Sequence, residues 1–376
     1  MSEARTAGPR PGDRVLVAMS GGVDSSVSAA LLKQQGFDVV GATMKLYHDG
    51  ADVPDRPCCS LDSVNDARRV CERIGAPHYV LNLQAPFGRD VVDDFVAEYA
   101  RGRTPIPCVR CNTFTKFRDL VETADRIDAP WIATGHYARL VDGRLHVGQD
   151  PAKDQSYFLW GIRRAMLARM ILPVGDRTKA ETRSVARELG LRMVASKPES
   201  QDICFVPHGN HAEVVAARLG GDHAALTPGP LVLEDGRRVG THDGFVHFTV
   251  GQRKGLPAGF AEPMFVLEII AATRTVVIGP RASLMGHGVV AREVNWLGER
   301  PVAGSVFGAR VRHRAPLVPA TLVRDDGDEI ALSFASGVQA IAPGQSVALY
   351  DGEALVGGGV IEVGVRAART LPVVAA

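Results

Sequence analysis

The sequence predicts an α/β protein in which an N-terminal doubly wound parallel sheet is followed by a small central domain and a C-terminal β-barrel or sandwich. Three observations support this fold class. Strand-like and helix-like segments alternate through the first part of the chain. An early apolar run ends in a glycine turn that opens a helix, and beyond about Pro207 short valine-rich runs are separated by Gly and Pro. We expect domains at 1–206, 207–280 and 281–376.

The first strand and turn are the most informative local feature. Residues 15–19 are continuously apolar, as in a strand that is covered on both faces, and Ser20, Gly21 and Gly22 then allow a tight turn. Asp24 opens the following helix, whose free N–H groups and positive dipole end suit an anion. An ordinary strand-to-helix connection is the alternative interpretation. The whole motif, SGGVDSS, favours an ATP site of the PP-loop type and lacks the GKS or GKT of a Walker A loop.

Further elements follow in alternation. The pattern predicts strands at 38–44, 79–83 and 131–134 and helices at 61–74, 91–99 and 114–127. Ligands of doubly wound sheets bind at the carboxyl ends of the strands. Residues 20–24, Met44 and Gly135 fall at such ends.

Composition limits the class of protein. The 376 residues are 45% hydrophobic and 23% charged, which indicates a globular chain. No apolar run reaches about 18 residues and the N-terminus does not resemble a signal peptide, so we expect a cytosolic protein. Six cysteines in a reducing compartment indicate chemistry or metal binding rather than disulfides. A net charge of +1 neither supports nor excludes a nucleic-acid partner.

The cysteines differ in their settings. Cys108 and Cys111 form a CxxC pair in a proline-rich loop before a helix, where a thiol pKa is lowered, although half of a zinc site is the alternative. Cys204 stands alone and could be a small buried residue. Cys71 lies on the apolar face of its helix and is expected in the core, and the adjacent cysteines 58 and 59 receive no role.

Two polar segments each allow two interpretations. Lys153, Asp154 and Gln155 precede an apolar run and could simply form a polar turn. Arg310, 312 and 314 would share one face of a strand, which could bind phosphates or only face solvent.

Taken together, these motifs closely resemble the bacterial tRNA-specific 2-thiouridylases over nearly the full length of the chain. The matching segments are AMSGGVDSS, GATMKLYH, GRTPIPCVRCN, IATGHYAR, KDQSYFLW, ESQDICFVP, TVGQRKGL and PGQSVALYDGE. The resemblance implies sulfur transfer to C2 of the wobble uridine (position 34) of tRNA, with ATP and Mg²⁺. It also implies glutamate, glutamine and lysine tRNAs as acceptors and a protein that donates persulfide sulfur.

The resemblance also implies roles for single residues. Cys111 takes the position of the nucleophile and Cys204 that of the persulfide-bearing cysteine. The nucleotide-binding positions are Ala18, Met19, Ser20, Gly21, Gly22, Val23, Asp24, Ser25, Met44 and Gly135. The tRNA-binding positions are Ile106, Pro107, Cys108, His136, Lys153, Asp154, Gln155, His313, Arg314 and Gln345, of which the first three touch the target base.

One departure from the family concerns Cys108. Many members have an aspartate with an acid/base role at this position. In this chain another group must therefore transfer the proton, or the site works by a different mechanism. A [4Fe–4S] cluster held by Cys108, Cys111 and Cys204 is the alternative to a persulfide relay. Two other function classes stay open: another adenylating PP-loop enzyme, and a non-catalytic RNA-binding protein with zinc at the CxxC pair.

Overall fold

A computed structural model describes residues 8–47, 61–197, 203–206 and 209–366. The chain divides into two units. The first comprises Met1–Val91, Cys108–Phe205 and Glu353–Leu355, and the second comprises Val92–Pro107, Val206–Gly352 and Val356–Ala376. Within the described ranges we find no helix with the length and apolar character that a membrane crossing requires.

The first unit contains the predicted parallel sheet. Its strand order is β3-β2-β1-β4-β7, and every neighbouring pair is parallel. The strands are β1 (Arg14–Ala18), β2 (Asp38–Lys45), β3 (His78–Asn82), β4 (Trp131–Ala133) and β7 (Met170–Ile171). Val15, Leu16 and Val17 have no exposed surface, because the central strand β1 is covered on both faces. The doubly wound fold class is confirmed.

Helices and a short hairpin complete the first unit. The hairpin consists of β5 (Ala138–Val141) and β6 (Arg144–Val147), and Ala354 pairs with His146 of β6. The helices are α1 (Val23–Gln34), α2 (Leu61–Arg73), α3 (Gln84–Phe87), α5 (Pro107–Arg110), α6 (Phe117–Arg126), α7 (Arg164–Leu167), α8 (Lys179–Glu188) and α9 (Arg192–Ala195).

The helix predicted at 114–127 begins earlier than expected. It starts with α5 at Pro107, continues through a π-helical segment at Cys111–Lys116 and ends with α6. A proline suits the first position of a helix because it has no N–H to leave unbonded and its φ is already helical. The expectation of a loop around the CxxC pair is therefore wrong, since both cysteines lie within helical backbone.

In the part of the chain that the structure describes, the second unit contains two β structures and two complete α-helices. The helices are α4 (Asp93–Ala100), which follows a π-helical segment at Gly88–Val92, and α10 (His211–Leu219). A four-stranded sheet has the order β10-β11-β8-β9. Its strands are β8 (Gly229–Leu233), β9 (Arg238–His242), β10 (Met264–Ile270) and β11 (Thr275–Pro280).

The remaining strands form the predicted C-terminal barrel. The order β12-β15-β14-β13-β16-β17 closes because β12 also pairs with β17, so the barrel has six strands and no open edge. Val289, Leu322, Leu349 and Ile361 fill its interior without exposure. The strands are β12 (Met285–Trp296), β13 (Val306–Arg310), β14 (Val318–Asp325), β15 (Glu329–Gln339), β16 (Ser346–Asp351) and β17 (Ala354–Arg366).

The arginine stripe predicted near residue 310 does not form. Strand β13 ends at Arg310, and the chain then turns, with Arg314 in the left-handed region at φ 64°. Arg310 lies over the Tyr350 ring, whereas Arg312 donates hydrogen bonds to the carbonyls of Val250 and Ala340. The three side chains do not share a strand face, because only the first of them is in a strand.

Candidate functional site

The turn between β1 and α1 is held by its own serine side chains. Gly21 has φ +69°, and a Cβ there would lie 2.2 Å from the Ser63 carbonyl oxygen, so only glycine fits. Ser25 and Ser26 donate from Oγ to the Gly22 carbonyl at 3.2 and 2.8 Å, and Ser25 Oγ also accepts from the Ser20 N–H at 3.1 Å. The turn thus has a fixed shape at the N-terminus of α1.

Asp24, in the first turn of α1, has two side-chain partners. The Lys179 Nζ lies 2.7 Å from each carboxylate oxygen, and the Tyr137 hydroxyl donates to Oδ1 at 2.8 Å. Burial, and next the charge of Asp24, raise the pKa of Tyr137. The tyrosine therefore stays protonated and donates, while Lys179 balances the carboxylate charge beside the turn.

The other predicted nucleotide-binding residues lie at the same end of the sheet. Met44 is near the end of β2 and is 8% exposed. Gly135 follows β4, and a Cβ on it would lie 2.7 Å from the Ser25 nitrogen and 2.8 Å from the Asp24 carbonyl carbon. The structure thus brings Met44, Gly135 and residues 18–25 to the carboxyl ends of three adjacent parallel strands.

The sequence interpretation missed four residues at this turn. They are Tyr137, Lys179, Asp66 and Lys197, the last of which donates to the Gly21 carbonyl at 3.2 Å and pairs with Asp66. Lys179 had one recognisable signal, because it follows Thr178, which forms a capping box with Glu181 at the start of α8. The other three are brought here only by the fold.

The cysteines occupy three different environments. Cys108 is exposed in α5, Cys111 is buried in the π-helical segment, and Cys204 is half-buried. Among the described residues no three His, Cys, Asp or Glu side chains form a group that could hold a metal ion. The cysteines predicted as cluster ligands are therefore not arranged as a ready three-thiolate site.

Cys71 is a core residue, as predicted. It has no exposed surface, and burial raises the pKa of its thiol to about 12, so it stays protonated and unreactive. Cysteines 58 and 59 lie outside the described residues.

The residues predicted to contact tRNA are spread over both units. In the first unit, His136 shares a 2.7 Å hydrogen bond with Thr134 and stacks on Phe117. Burial, and next the charge of Lys116, lower the pKa of His136 to about 3, so its ring is neutral.

The segment Lys153-Asp154-Gln155 also belongs to the first unit. Asp154 is 7% exposed and accepts the N–H groups of Gly148 and Ser156 at 3.1 and 3.0 Å. The Gln155 side chain accepts the Tyr137 N–H at 3.0 Å. Asp154 and Gln155 thus organise the polar turn that was the alternative interpretation of this segment.

Five predicted tRNA contacts lie in the second unit, and the first of them, Ile106, is half-buried. Pro107 begins α5, and His313 and Arg314 lie in the turn after β13. Gln345 donates from Nε2 to the Thr104 carbonyl at 2.8 Å.

Known families and proteins match almost the whole chain. Family models match residues 13–208 as "tRNA methyl transferase HUP domain", 221–280 as "tRNA methyl transferase PRC-barrel domain" and 286–361 as "Aminomethyltransferase beta-barrel domain". The tRNA-specific 2-thiouridylase MnmA of Rhodospirillum centenum is 48% identical over 361 residues, which cover 92% of this chain and 91% of that protein. The chain belongs to the tRNA-specific 2-thiouridylase family.

Other 2-thiouridylases match to a similar degree. The MnmA of Parvibaculum lavamentivorans is 47% identical over 368 residues, covering 93% of this chain and 91% of that protein. The MnmA of Xanthobacter autotrophicus is 45% identical over 385 residues, covering 98% of both chains. The matched region contains the PP-loop turn, the three candidate cysteines and the barrel of this 2-thiouridylase.

Proposed function

We propose that this protein is a cytosolic tRNA-uridine 2-sulfurtransferase that uses ATP to convert the wobble uridine of glutamate, glutamine and lysine tRNAs to 2-thiouridine. The observation that carries the proposal is the preorganised turn at residues 18–25, with the balanced carboxylate of Asp24 beside it, in a chain of this family. The proposed catalytic, central and tRNA-contacting domains are 1–206, 207–280 and 281–376.

The turn is suited to the phosphates of ATP. The N–H groups at the start of α1, the Gly21–Gly22 backbone and Lys179 would bind the phosphates, and Met44 and Gly135 would line the rest of the nucleotide site. Asp24 is the carboxylate suited to Mg²⁺, since its side chain is 30% exposed. When bound, the ion neutralises phosphate charge.

Activation of the base comes next in the proposed reaction. The uridine O2 attacks the α-phosphate, and the bond to pyrophosphate breaks. The resulting adenylate makes C2 electrophilic and leaves AMP as the departing group. Because O2 belongs to an anticodon base, that base must leave its stack to reach Ile106, Pro107 and Cys108.

In the proposed reaction, sulfur transfer involves Cys204 and Cys111. Cys204 carries a persulfide whose terminal sulfur comes from a donor protein. Either this sulfur attacks C2 and the Cys111 thiolate then resolves the mixed disulfide, or Cys111 first releases it as hydrosulfide. Both routes expel AMP and leave a Cys111–Cys204 disulfide, which a cellular dithiol must reduce.

The remaining tRNA contacts are proposed at His136, Lys153, Asp154, Gln155, His313 and Arg314, whereas the side-chain amide of Gln345 donates to the Thr104 carbonyl instead. The half-buried neutral ring of His136 and the partly exposed Lys153 support contacts from the first unit.

A [4Fe–4S] cluster at Cys108, Cys111 and Cys204 is the alternative source of sulfide. No three-ligand group of this kind is present among the described residues, so we derive no step through a cluster.

Single cysteine variants test the relay. Thiolation of tRNA by metal-free protein, supplied with ATP and a persulfide donor, is measured as 2-thiouridine by nucleoside mass spectrometry. Cys111→Ala and Cys204→Ala should abolish the product, whereas Cys108→Ala should retain it. The matched control is Cys71→Ala, which removes a buried core thiol.

Three outcomes would contradict this proposal. Full activity of Cys204→Ala would refute both sulfur schemes. Product formation only after anaerobic reconstitution with iron and sulfide, together with loss in Cys108→Ala, would replace the relay by the cluster. Pyrophosphate release that needs a small acceptor instead of tRNA would refute the proposed substrate.

A further inference from the structure

Thr104 lies two residues before Ile106, and each of its polar groups has a partner within the second unit. Its N–H donates to the Pro343 carbonyl at 2.9 Å, and its carbonyl accepts from Gln345 Nε2 at 2.8 Å. Its hydroxyl donates to Thr249 Oγ1 at 3.1 Å. Contacts from two distant parts of the chain therefore fix this residue.

The side chain of the neighbouring Arg103 is also fixed by several contacts. Its guanidinium contacts Glu98 at 2.6 Å, Glu362 at 2.5 Å and the Ile361 carbonyl at 3.1 Å. The side chain is only 16% exposed, so solvent and salt screen these charge-assisted bonds weakly. Burial by itself lowers the pKa of Arg103, but the bonds to Glu362 and Glu98 outweigh this effect and raise it.

The loop that holds Thr104 is itself fixed to the barrel. Gly344 has φ +86°, and a Cβ there would lie 2.9 Å from the backbone of Thr104. The Gly344 N–H donates to the Ile361 carbonyl at 2.9 Å, and the Ile361 N–H donates to the Gln345 carbonyl at 2.7 Å. Gln345 therefore presents its side-chain amide from a rigid backbone.

We infer that Gln345 and Arg103 are positioning residues for the target-base segment at Ile106 and Pro107, and that Gln345 acts on the base through Thr104. The inference rests on the proposed function, because it needs that segment to touch the base. The Nε2 group of Gln345 already donates to the Thr104 carbonyl, so this group holds Thr104 in place instead of contacting the tRNA. Small displacements of a positioned group reduce a reaction rate strongly, whereas they change overall tRNA affinity little.

The variant Gln345→Met tests this role, because it keeps the length of the side chain and removes the donor. We expect the Thr104 N–H, which donates to the Pro343 carbonyl, to exchange with deuterium about 5- to 10-fold faster, because losing the Gln345 bond to the Thr104 carbonyl makes opening of this segment easier. Single-turnover thiolation should slow by a similar factor, while the Kd for tRNA stays within about twofold. A weakened Kd with unchanged exchange would instead establish a direct tRNA contact and overturn the inference.

A variant of Arg103 provides a second test of the inference, and Arg101 provides the matched control. Arg103→Lys keeps the charge but cannot reach three acceptors at once, and it should reproduce the faster exchange and slower thiolation. The control is Arg101→Met, because Arg101 also pairs with Glu98 but is 71% exposed, and we expect no change. The double variant Gln345→Met, Arg103→Lys should react about as slowly as the slower single variant, because both residues hold one segment.

Failure of this inference is distinguishable from failure of the proposed function. Hydrogen exchange reports the anchoring of Thr104 whether or not the protein thiolates tRNA. Absence of thiolation by the unmodified protein would refute the proposed function. Normal thiolation by Gln345→Met, with faster exchange, would refute only the positioning role.

Discussion

The substitution Gly135→Ala tests whether the glycine after β4 shapes the nucleotide site. The new Cβ would lie 2.7 Å from the Ser25 nitrogen, 2.8 Å from the Asp24 carbonyl carbon and 3.0 Å from the Asp24 Cβ. The first two are backbone atoms that cannot rotate away, so the start of α1 must move. The φ of Gly135 is not in the left-handed region, so the cost is steric rather than conformational.

The size of the effect follows from this overpacking. Inserting a methyl group into a well-packed site costs about 1–3 kcal/mol. If the whole of this cost weakens ATP binding, the Kd for ATP should rise about 5- to 150-fold. Equilibrium binding of a non-hydrolysable ATP analogue, without tRNA, measures this directly. A thermal unfolding curve shows how much of the cost instead lowers stability.

Two further glycines serve as controls. A Cβ on Gly22 would lie 3.3 Å from Ser20 Oγ, a side-chain atom that can move, so Gly22→Ala should weaken binding only mildly. Gly88 is helical, and outside its chain neighbours and its own helix backbone no described atom lies within 4 Å of the added Cβ, so Gly88→Ala should leave binding unchanged. Tight binding by Gly135→Ala, equal to that of Gly88→Ala and with unchanged stability, would refute the reasoning.

Two more predictions concern charges in the first unit. Lys179→Met leaves the Asp24 carboxylate with Tyr137 alone, so it should repel phosphate and weaken ATP binding about tenfold at low Mg²⁺, with recovery at high Mg²⁺. An ATP titration at several Mg²⁺ concentrations measures this, and an Mg²⁺ dependence like that of the unmodified protein would contradict it. The unfolded chain protonates His136 below about pH 6.5, whereas the folded protein does so only near pH 3, so this residue lowers stability as the pH falls between those values. Between pH 7 and pH 5, the free energy of unfolding measured in urea should therefore fall by about 2 kcal/mol less for His136→Gln than for the unmodified protein. The same result for the exposed His287→Gln would contradict the assignment to His136.

The local sequence was sufficient for much of the fold. The apolar run at 15–19, the two glycines and the serines that follow interact within a few residues of one another, and they form the predicted strand, turn and helix. Alternating strands and helices likewise predicted the parallel sheet, and the valine-rich runs predicted a C-terminal β-barrel or sandwich, of which the structure has the closed barrel. The start of the CxxC helix was misplaced because Pro107 could either end a loop or begin a helix.

The partners of the site residues depended on the tertiary structure. Lys179 reaches Asp24 across 155 positions, and Gln345 reaches Thr104 across 241. Arg312 turns away from Arg310 because the strand ends between them. Sequence patterns record periodicity and turn preference over a few residues, so they determined the elements and the PP-loop turn. Which charges neutralise each other, and which amide holds which carbonyl, was decided only when the chain packed, because such pairs depend on distance in space.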